Sequence, residues 1–431
     1  MSANRPQLET FGCRINIWES EVMRDQAHQA GLTNTVIVNT CAVTAEAEKQ
    51  ARQSIRRIRR EQPDAQIVVT GCAAQINPDS WQSMPEVNHV IGNQDKMEQT
   101  SWDKLATGQM EASQVSDMSD LKEVASHMLQ EFSDHTRAFL QVQQGCDHRC
   151  TFCIIPYGRG PSRSAGIGAV VEQVRTLVDG GAREVVLSGV DITSWGADLP
   201  HTPKLGQLVR QILKHVPQLP RLRLSSIDPA ELDAELMEVL GQDQRLMPHL
   251  HLSVQHGDDL ILKRMKRRHL ARDVKRFCDE ARRVRSDVVF GADIIAGFPT
   301  EDDAAHQNTL KLIKDAGLTH LHVFGYSQRE GTPAALMPQL DKQIIKQRTA
   351  EIRNLGGAQL TAHLDRLIGQ DSMLLVERGQ KGHLPGFAVA RLDNNGLSSD
   401  AIIAPGTILP VRLAAHNGSE MTAEIIQAVA V

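Results

Sequence analysis

Hydrophobic residues in this chain come in short runs separated by stretches of helical period. TVIVNT (35–40) and QIVVTG (66–71) are dominated by Val and Ile, the pattern of strands buried on both faces. PQLETFGC, ending at Cys13, is a more polar and weaker strand. Helical patterns at about 15–35 and 44–61 lie between these runs, so strand and helix alternate. From Ala138 to Ser327 the alternation continues. Strands are expected at 138–143, 184–190, 221–226, 249–255, 288–295 and 319–326. Helices are expected near 167–180, 203–215, 231–240, 258–285 (broken) and 302–316. Roughly six βα units of 30–40 residues predict a parallel sheet curling into a partial barrel. Segment 371–431 changes character. SMLLVE, FAVARL, TILPVRL and MTAEIIQAVAV alternate apolar and polar, with GQKGHLPG and HNGS as turns, which outlines a small β-barrel. The fold class is therefore α/β, with a β-barrel at the end.

Segment 101–135 carries seven acidic residues against two basic and reads as a linker with a short helix around 119–131. The expected division is 1–100, a linker at 101–135, a barrel at 136–368 and a β-barrel at 369–431.

Period two in HLHLSVQ (249–255) turns Leu250, Leu252 and Val254 toward the outer helices and His249, His251, Ser253 and Gln255 inward. A polar lumen suits a barrel that holds a polar cofactor and substrate, or else a satisfied polar network. Gln255, Ser225 and Ser226 in RLRLSSIDP, and Gly189 and Asp191 in VLSGVDI, are the candidate cofactor contacts. Gly189 would let the backbone come close to a ligand.

Six of the seven cysteines form two sets of three. Cys146, Cys150 and Cys153 stand as C-x3-C-x2-C after the strand at 138–143. Three thiolates in so short a loop can cap three irons of a four-iron cluster and leave the fourth open to a substrate or cofactor. A structural zinc would need a fourth ligand, and His148, inside the loop, is poorly placed to supply it. Cys13, Cys41 and Cys72 each end a strand, roughly 30 residues apart, one strand–helix unit each. Parallel strands would bring all three to one sheet edge, where such sheets hold ligands. Structural burial is the plainer reading of any one of them. Cys278, within a helical pattern, reads as packing.

Composition bounds the rest. The 431 residues are 41% hydrophobic and 23% charged, which fits a globular protein of two or three domains. MSANRPQLET has no apolar signal core and no run approaches a membrane span, so a reducing, cytoplasmic setting is expected. A net charge of −5 and 3% aromatic residues give no global sign of nucleic acid, so any RNA contact must be local. Arg52, Arg56, Arg59 and Arg60 share one helical face, and Lys263, Arg264, Lys266, Arg267, Arg268 and Arg272 form a basic run. Either could grip phosphates or be a solvated face. In 371–431, four basic residues against six acidic ones weaken the case for charge-driven RNA binding there.

The cysteine triplet with IIPYGRGPSRS resembles the radical S-adenosylmethionine methylthiotransferases. So do LSGVDI, LSSIDP, HLSVQHGDDLILKRMKRRH, GADIIAGFPTE and YSQREGTPAA, and at the N-terminus TFGCRINIWESE, NTCAVTAEAEKQARQSIRR and VVTGCAAQ. The resemblance covers most of the chain. It implies a cluster domain, a radical barrel and an RNA-binding β module of the TRAM type. It implies two [4Fe-4S] clusters: one on Cys146, Cys150 and Cys153 that binds and cleaves S-adenosylmethionine, and an auxiliary one on Cys13, Cys41 and Cys72 that presents sulfur. The implied substrate is tRNA at its anticodon stem-loop, with a one-electron reductant such as flavodoxin or ferredoxin, no membrane and no stated oligomeric state. NTCAVTAEAEKQARQSIRR and YSQREGTPAA look most like the branch that acts at C2 of threonylcarbamoyladenosine. Methylthiolation of isopentenyladenosine or of a ribosomal-protein aspartate stands beside it, as does a non-catalytic iron–sulfur RNA-binding or redox-sensing protein.

Overall fold

The computed structural model describes residues 5–119, 136–231, 233–393 and 403–426. Five parallel strands lie side by side in chain order: β1 (Gln7–Thr10), β2 (Thr35–Thr40), β3 (Gln66–Gly71), β4 (His89–Ile91) and β5 (Ser113–Gln114). Helices α1 (Arg14–Gln29), α2 (Ala45–Glu61), α3 (Cys72–Ile76), α4 (Pro78–Gln82) and α5 (Gln99–Ala106) connect or follow them. Val36, Val38, Ile67 and Val69 pack against Ile55 and Ile58 of α2. Ile37 and Val68 pack against Met23 and Ala27 of α1 and Trp102 and Leu105 of α5. Both faces of β2 and β3 are thus covered, which is why their sequences run apolar without alternation.

Two boundaries differ from expectation. α1 stops at Gln29, not near 35, because Gly31 at φ +79° turns the chain out of the helix. Residues 101–114 are not a linker. The fully buried Trp102 donates its indole N–H to the Lys96 carbonyl at 3.0 Å, and β5 pairs with β4. The acidic composition of this stretch hid its few apolar anchors. The short helix expected around 119–131 falls outside the described residues apart from its first position.

All six expected barrel strands form. β6 (Arg137–Gln141), β9 (Glu184–Ser188) and β10 (Arg221–Leu224) make one parallel sheet. β11 (Ser226–Ile227), β12 (His249–Gln255), β13 (Val289–Ala296) and β14 (Leu318–Gly325) make the other. The ladder breaks at Ser225. A hairpin of β7 (Gln143–Gln144) and β8 (Arg163–Ser164) brackets the cysteine loop and α6 (Ile155–Arg159). Helices α7 (Ile167–Asp179), α8 (Leu205–His215), α9 (Ala234–Gln242), α10 (Asp259–Arg264), α11 (Ala271–Val284) and α12 (Asp303–Asp315) follow, with the expected break between α10 and α11. Leu250, Leu252 and Val254 lie in the core shared with these helices, as period two requires. Cys278 is fully buried in the same core.

α13 (Lys342–Leu367) had no clear sequence signal. It packs on β14 through Gly356, where a Cβ would sit 3.0 Å from Leu321. Its helical reading is masked by the Gly356-Gly357 pair. Beyond it, β15 (Asp371–Val376), β16 (Lys381–His383), β17 (Val389–Leu392), β18 (Ile408–His416) and β19 (Met421–Ile425) close a small barrel around Leu374, Val376, Leu392, Val411 and Met421. β16 lies where a turn was expected.

This small barrel closes the amino-terminal end of the large one. Phe387 sits at φ +77°, a conformation disfavoured for a residue with a Cβ. Its ring stacks on His249 with centroids 4.4 Å apart. Arg221 donates to the carbonyls of His383 (3.0 Å) and Met373 (2.6 Å), and Arg223 to that of Pro385 (3.1 Å). The carboxyl end of the strands is left for the cysteine loop, the end where this architecture carries its chemistry.

A buried ion network joins the first sheet to the large barrel. Glu19 of α1 accepts hydrogen bonds from Lys96 (2.7 Å) and from both terminal nitrogens of Arg159 in α6 (2.7 and 3.0 Å). Arg159 also donates to Asn16 at 2.7 Å. Burial alone would raise the Glu19 carboxyl, but Arg159 and Lys96 overcome it and hold it at about 2. Lys96, which shares one carboxylate with Arg159, is lowered by its burial. On the outer side, Arg329 of YSQREGTPAA pairs with Glu48 of α2, and the Ala45 N–H donates to Ser327 Oγ at 3.2 Å.

Removing one partner of a buried network strands the others, so Glu19→Gln is expected to cost about 3 kcal/mol of unfolding free energy at pH 7 in a urea titration. Because Glu19 is depressed from 4.5 to about 2, its contribution is complete above pH 4.5 and drains away as pH falls toward 2. The gap between wild type and Glu19→Gln should close over that window; a gap independent of pH would contradict the network. Phe387→Ala is expected to cost about 2 kcal/mol, less than a fully buried ring because the Phe387 ring is partly exposed. Limited proteolysis should then release the segment after α13 faster than in wild type; an equal rate would show that the ring carries no docking energy.

Candidate functional site

Each strand of the first sheet that precedes a candidate thiol ends in the same way. Thr10 pairs with Asn39 and Thr40 with Gly71, so the ends of β1, β2 and β3 are level. Cys13, Cys41 and Cys72 follow those ends, at one edge of the sheet. Gly12 and Gly71 take φ of +100° and +99° just before Cys13 and Cys72. A Cβ on Gly12 would lie 2.9 Å from Cys41 Sγ, and one on Gly71 2.3 Å from the Thr40 carbonyl oxygen. The glycines let the strand ends crowd together, and no other residue fits there. Cys41 and Cys72 are buried and Cys13 is exposed.

The second triad sits on the loop between β7 and β8. Gly145 at φ +72° precedes Cys146, and a Cβ on it would overlap the Pro161 carbonyl at 1.8 Å. The Cys146 N–H donates to the Gly160 carbonyl at 3.1 Å and the Cys153 N–H to that of Cys150 at 3.1 Å. Thr151 fastens the loop to the barrel wall through Met265 and Arg264 carbonyls at 3.1 and 2.8 Å. Arg267 reaches Cys150 Sγ at 3.6 Å while bonded to Asp228 at 3.0 Å. Phe152 meets Phe298 edge to face at 6.5 Å.

The two triads are neighbours. A Cβ on Gly158, in α6 of the second loop, would lie 3.3 Å from Cys72 Cβ. Asn93 donates to the Gly158 carbonyl at 2.6 Å and to Cys72 Sγ at 3.7 Å. Burial would lower Arg159, but Cys72, Glu19 and Cys13 together raise it well above its usual value. One guanidinium thus serves both the ion network and the first thiol set.

The donor sets suit a multi-iron group. Burial pushes Cys41, Cys146 and Cys153 up to about 12, reinforced by Cys72 at Cys41, by Asp191 at Cys146 and by Cys150 at Cys153. Thiols held this way ionise only with a strong positive charge among them. Zinc bonded at about 2.3 Å would draw its thiolates to roughly 4 Å apart. Among the described residues only His251, Asp293 and His322 bring three ligand atoms within 4.8 Å of one another, so neither cysteine triad is drawn in that tightly.

The five candidate cofactor contacts have different surroundings. Asp191 lies beside the second loop, with its carboxylate 2.8 Å from His148 Nε2 and accepting from Ser194 at 2.6 Å. Burial would raise it, and those two bonds hold it below the usual range. Ser225 is buried with an unpartnered Oγ at the break between the two sheets, and Ser226 follows it in β11. Gln255 ends β12 at φ +68°. At Gly189 a Cβ would meet Ile192 at 2.6 Å and Gln143 at 2.8 Å, so on that side its backbone packs closely against protein. Gln143 was missed by sequence reading. Its Oε1 accepts from the Asp191 N–H at 2.8 Å and its Nε2 donates to the Gly145 carbonyl at 2.8 Å, which ties the β9 end to the cysteine loop. A glutamine in QVQQG carries no signal that separates it from its neighbours.

The basic runs are mostly spoken for. Arg52 lies over the Trp81 ring at 4.1 Å and bonds Ser80, and Arg59 donates to four acceptors around the end of α2. Arg56 lies 3.9 Å from Glu86, and Arg60 is exposed. In the second run Arg264 bonds Thr300, Arg267 serves Cys150 and Asp228, and Arg268 pairs with Glu231. Lys263, Lys266 and Arg272 are exposed. In the small barrel, Lys381 and Arg391 pair with Glu420, and Arg412 with Asp371.

Residues 140–313 match the model of the radical SAM superfamily, and residues 5–92 match that of an uncharacterized protein family, UPF0004. The chain is 52% identical to threonylcarbamoyladenosine tRNA methylthiotransferase of Rickettsia prowazekii, over 90% of this chain and 91% of that one. It is 34% identical to the protein of the same description in Thermotoga maritima, over 88% of each. A tRNA-2-methylthio-N(6)-dimethylallyladenosine synthase of Cereibacter sphaeroides is 32% identical over 97% of this chain and 98% of its own. Among solved structures, a radical S-adenosylmethionine methyltransferase from Kitasatospora setae shares the fold with a TM-score of 0.55, at 16% identity over 75% of this chain and 68% of that one. No helix among the described residues is long and apolar enough to cross a membrane. With two thiol triads side by side and this identity along nearly its whole length, the chain belongs to the threonylcarbamoyladenosine tRNA methylthiotransferase family of radical S-adenosylmethionine enzymes.

Proposed function

We propose that this enzyme inserts a methylthio group at C2 of threonylcarbamoyladenosine in the anticodon stem-loop of tRNA. The observation that carries the reading is the adjacency of the two thiol triads, joined through Gly158, Asn93 and Arg159. The 52% identity to a curated enzyme of that description supports the substrate. The enzyme uses S-adenosylmethionine and two [4Fe-4S] clusters. Cys146, Cys150 and Cys153 would hold the one that binds S-adenosylmethionine, and Cys13, Cys41 and Cys72 the auxiliary one. When bound, these groups supply reductive radical formation, activation of the C2–H bond and donation of sulfur and methyl.

The chain's own residues position and shield. Arg267 donates toward Cys150 Sγ at 3.6 Å, while Asp228 holds the guanidinium in place. Asp191, fixed by His148, Ser194 and Gln143, presents a carboxylate beside the second triad, and with Ser225, Ser226 and Gln255 it is placed to bind polar groups of S-adenosylmethionine. Gly189 is assigned to packing against Gln143. We assign the auxiliary group to the unit that ends near residue 119, the radical chemistry to 136–368, and barrel capping with RNA docking to 369–431. A one-electron donor such as flavodoxin or ferredoxin, in the cytoplasm, completes the reading.

Nucleoside mass spectrometry of bulk tRNA from cells with and without this gene tests the substrate. The 2-methylthio form of threonylcarbamoyladenosine should vanish and its unthiolated precursor accumulate. Loss of the dimethylallyladenosine product would redirect the assignment, and an unchanged profile would send it to protein substrates. Cys150→Ala should abolish S-adenosylmethionine cleavage, a loss of at least about 100-fold given the loss of an essential metal ligand. Cys41→Ala should still cleave S-adenosylmethionine but form no methylthio product; full product from Cys41→Ala would overturn the auxiliary assignment.

A further inference from the structure

Phe387 closes the floor of the barrel lumen, and three guanidiniums surround its ring. Arg223 lies at 5.3 Å, Arg137 at 5.8 Å and Arg14 at 5.9 Å from the ring centroid. Arg137 pairs with Glu377 at 2.7 Å, and Arg223 with Glu184 at 2.7 Å, which Arg221 also approaches at 3.8 Å. The remaining carboxylate of this wall, Asp293, is engaged by His251 at 3.0 Å and His322 at 3.2 Å. Arg14 makes no hydrogen bond and no ion pair within 4 Å among the described residues. Four guanidiniums therefore meet three carboxylates, and Arg14, which feels Asp293 and Glu184 only at longer range, is the one that pairs directly with none.

A second observation points the same way. His249 is fully buried with neither ring nitrogen partnered, and His320 Nε2 is also without a partner. Both rings neighbour Phe387, at 4.4 and 5.6 Å. His322, which bonds Asp293, is half-exposed, so this wall reaches solvent. A guanidinium with no ion-pair partner among the described residues, beside unpartnered hydrogen-bonding groups, is a donor set for a planar oxyanion. Arg14 also follows Cys13 directly, so its charge is held at a fixed reach from the first thiol triad.

We propose that Arg14 binds the carboxylate of the substrate's N6 threonylcarbamoyl group and so selects it over the apolar dimethylallyl group handled by the related synthases. The inference rests on the substrate reading above. With C2 of the adenine at the thiol-bearing end, the N6 arm would extend into the lumen, where Arg14 replaces the water that the carboxylate loses.

The test uses holoenzyme of matched iron content and two synthetic anticodon stem-loops. One carries threonylcarbamoyladenosine and the other the same nucleoside with its carboxylate capped as a primary amide. For wild type, the amide RNA should show a KM about 10- to 100-fold higher, the range expected for a charge-assisted hydrogen bond. Arg14→Gln should raise the KM for the carboxylate RNA by that factor, leave the amide RNA unchanged, and keep kcat. Arg14→Lys should recover part of the loss. An Arg14→Gln enzyme that keeps the wild-type preference, or loses equally on both RNAs, would overturn the proposal. A wild type that modifies neither RNA would overturn the substrate reading, and this inference with it.

Discussion

A single buried carboxylate holds the two halves of this enzyme in register. Glu19 takes Lys96 from its own domain and Arg159 from the loop that carries the second thiol triad. All three side chains are almost wholly buried, so the network is expensive to assemble and more expensive to break. Its geometric effect is specific. Arg159 reaches Glu19 while its neighbour Gly158 lies against Cys72, and that contact brings the two thiol sets together. The crowding of glycines at Gly12, Gly71 and Gly145 serves the same end, because each removes a Cβ that would push the loops apart.

The interior of the radical barrel is polar for a related reason. Its core-forming apolar residues point outward to the helices, as the burial of Leu250, Leu252 and Val254 records. The inward positions carry His, Arg, Glu and Asp, most of which are buried only because they find partners. The small C-terminal barrel supplies many of those partners, through Glu377, Phe387 and the carbonyls of Met373, His383 and Pro385. Its deficit of positive charge is intelligible in that role: its charged residues satisfy the barrel floor and one another. An RNA surface built on this module would rest on shape and hydrogen bonds more than on charge.

Much of the architecture was legible in the order of residues. Strands β2, β3 and the six of the barrel are strongly periodic or strongly apolar, and a buried strand cannot hide such a pattern. The C-x3-C-x2-C spacing marked one thiol set, and the recurrence of a cysteine at three strand ends marked the other. Other elements were opaque. Residues 101–114 sit in a stretch, 101–135, whose acidic composition reads as a linker, yet Trp102 anchors them. α13 contains a glycine pair that argues against a helix until Leu321 is seen against Gly356. The basic runs read as phosphate grips, while Arg59 is a brace for the end of α2 and Arg267 a donor to Cys150.

The sequence by itself determined the order and class of the elements, the two cysteine triads and the family, because these depend on local period and on spacing along the chain. Only the tertiary structure decided that the triads are neighbours, that Glu19, Arg159 and Lys96 form one network, that Gln143 fastens Asp191 to the cysteine loop, and that Arg14 lies beside Phe387 with no ion-pair partner among the described residues. Those relations join residues more than 40 positions apart, and a charged or amide side chain carries no mark in sequence of whether its partner is water or another residue.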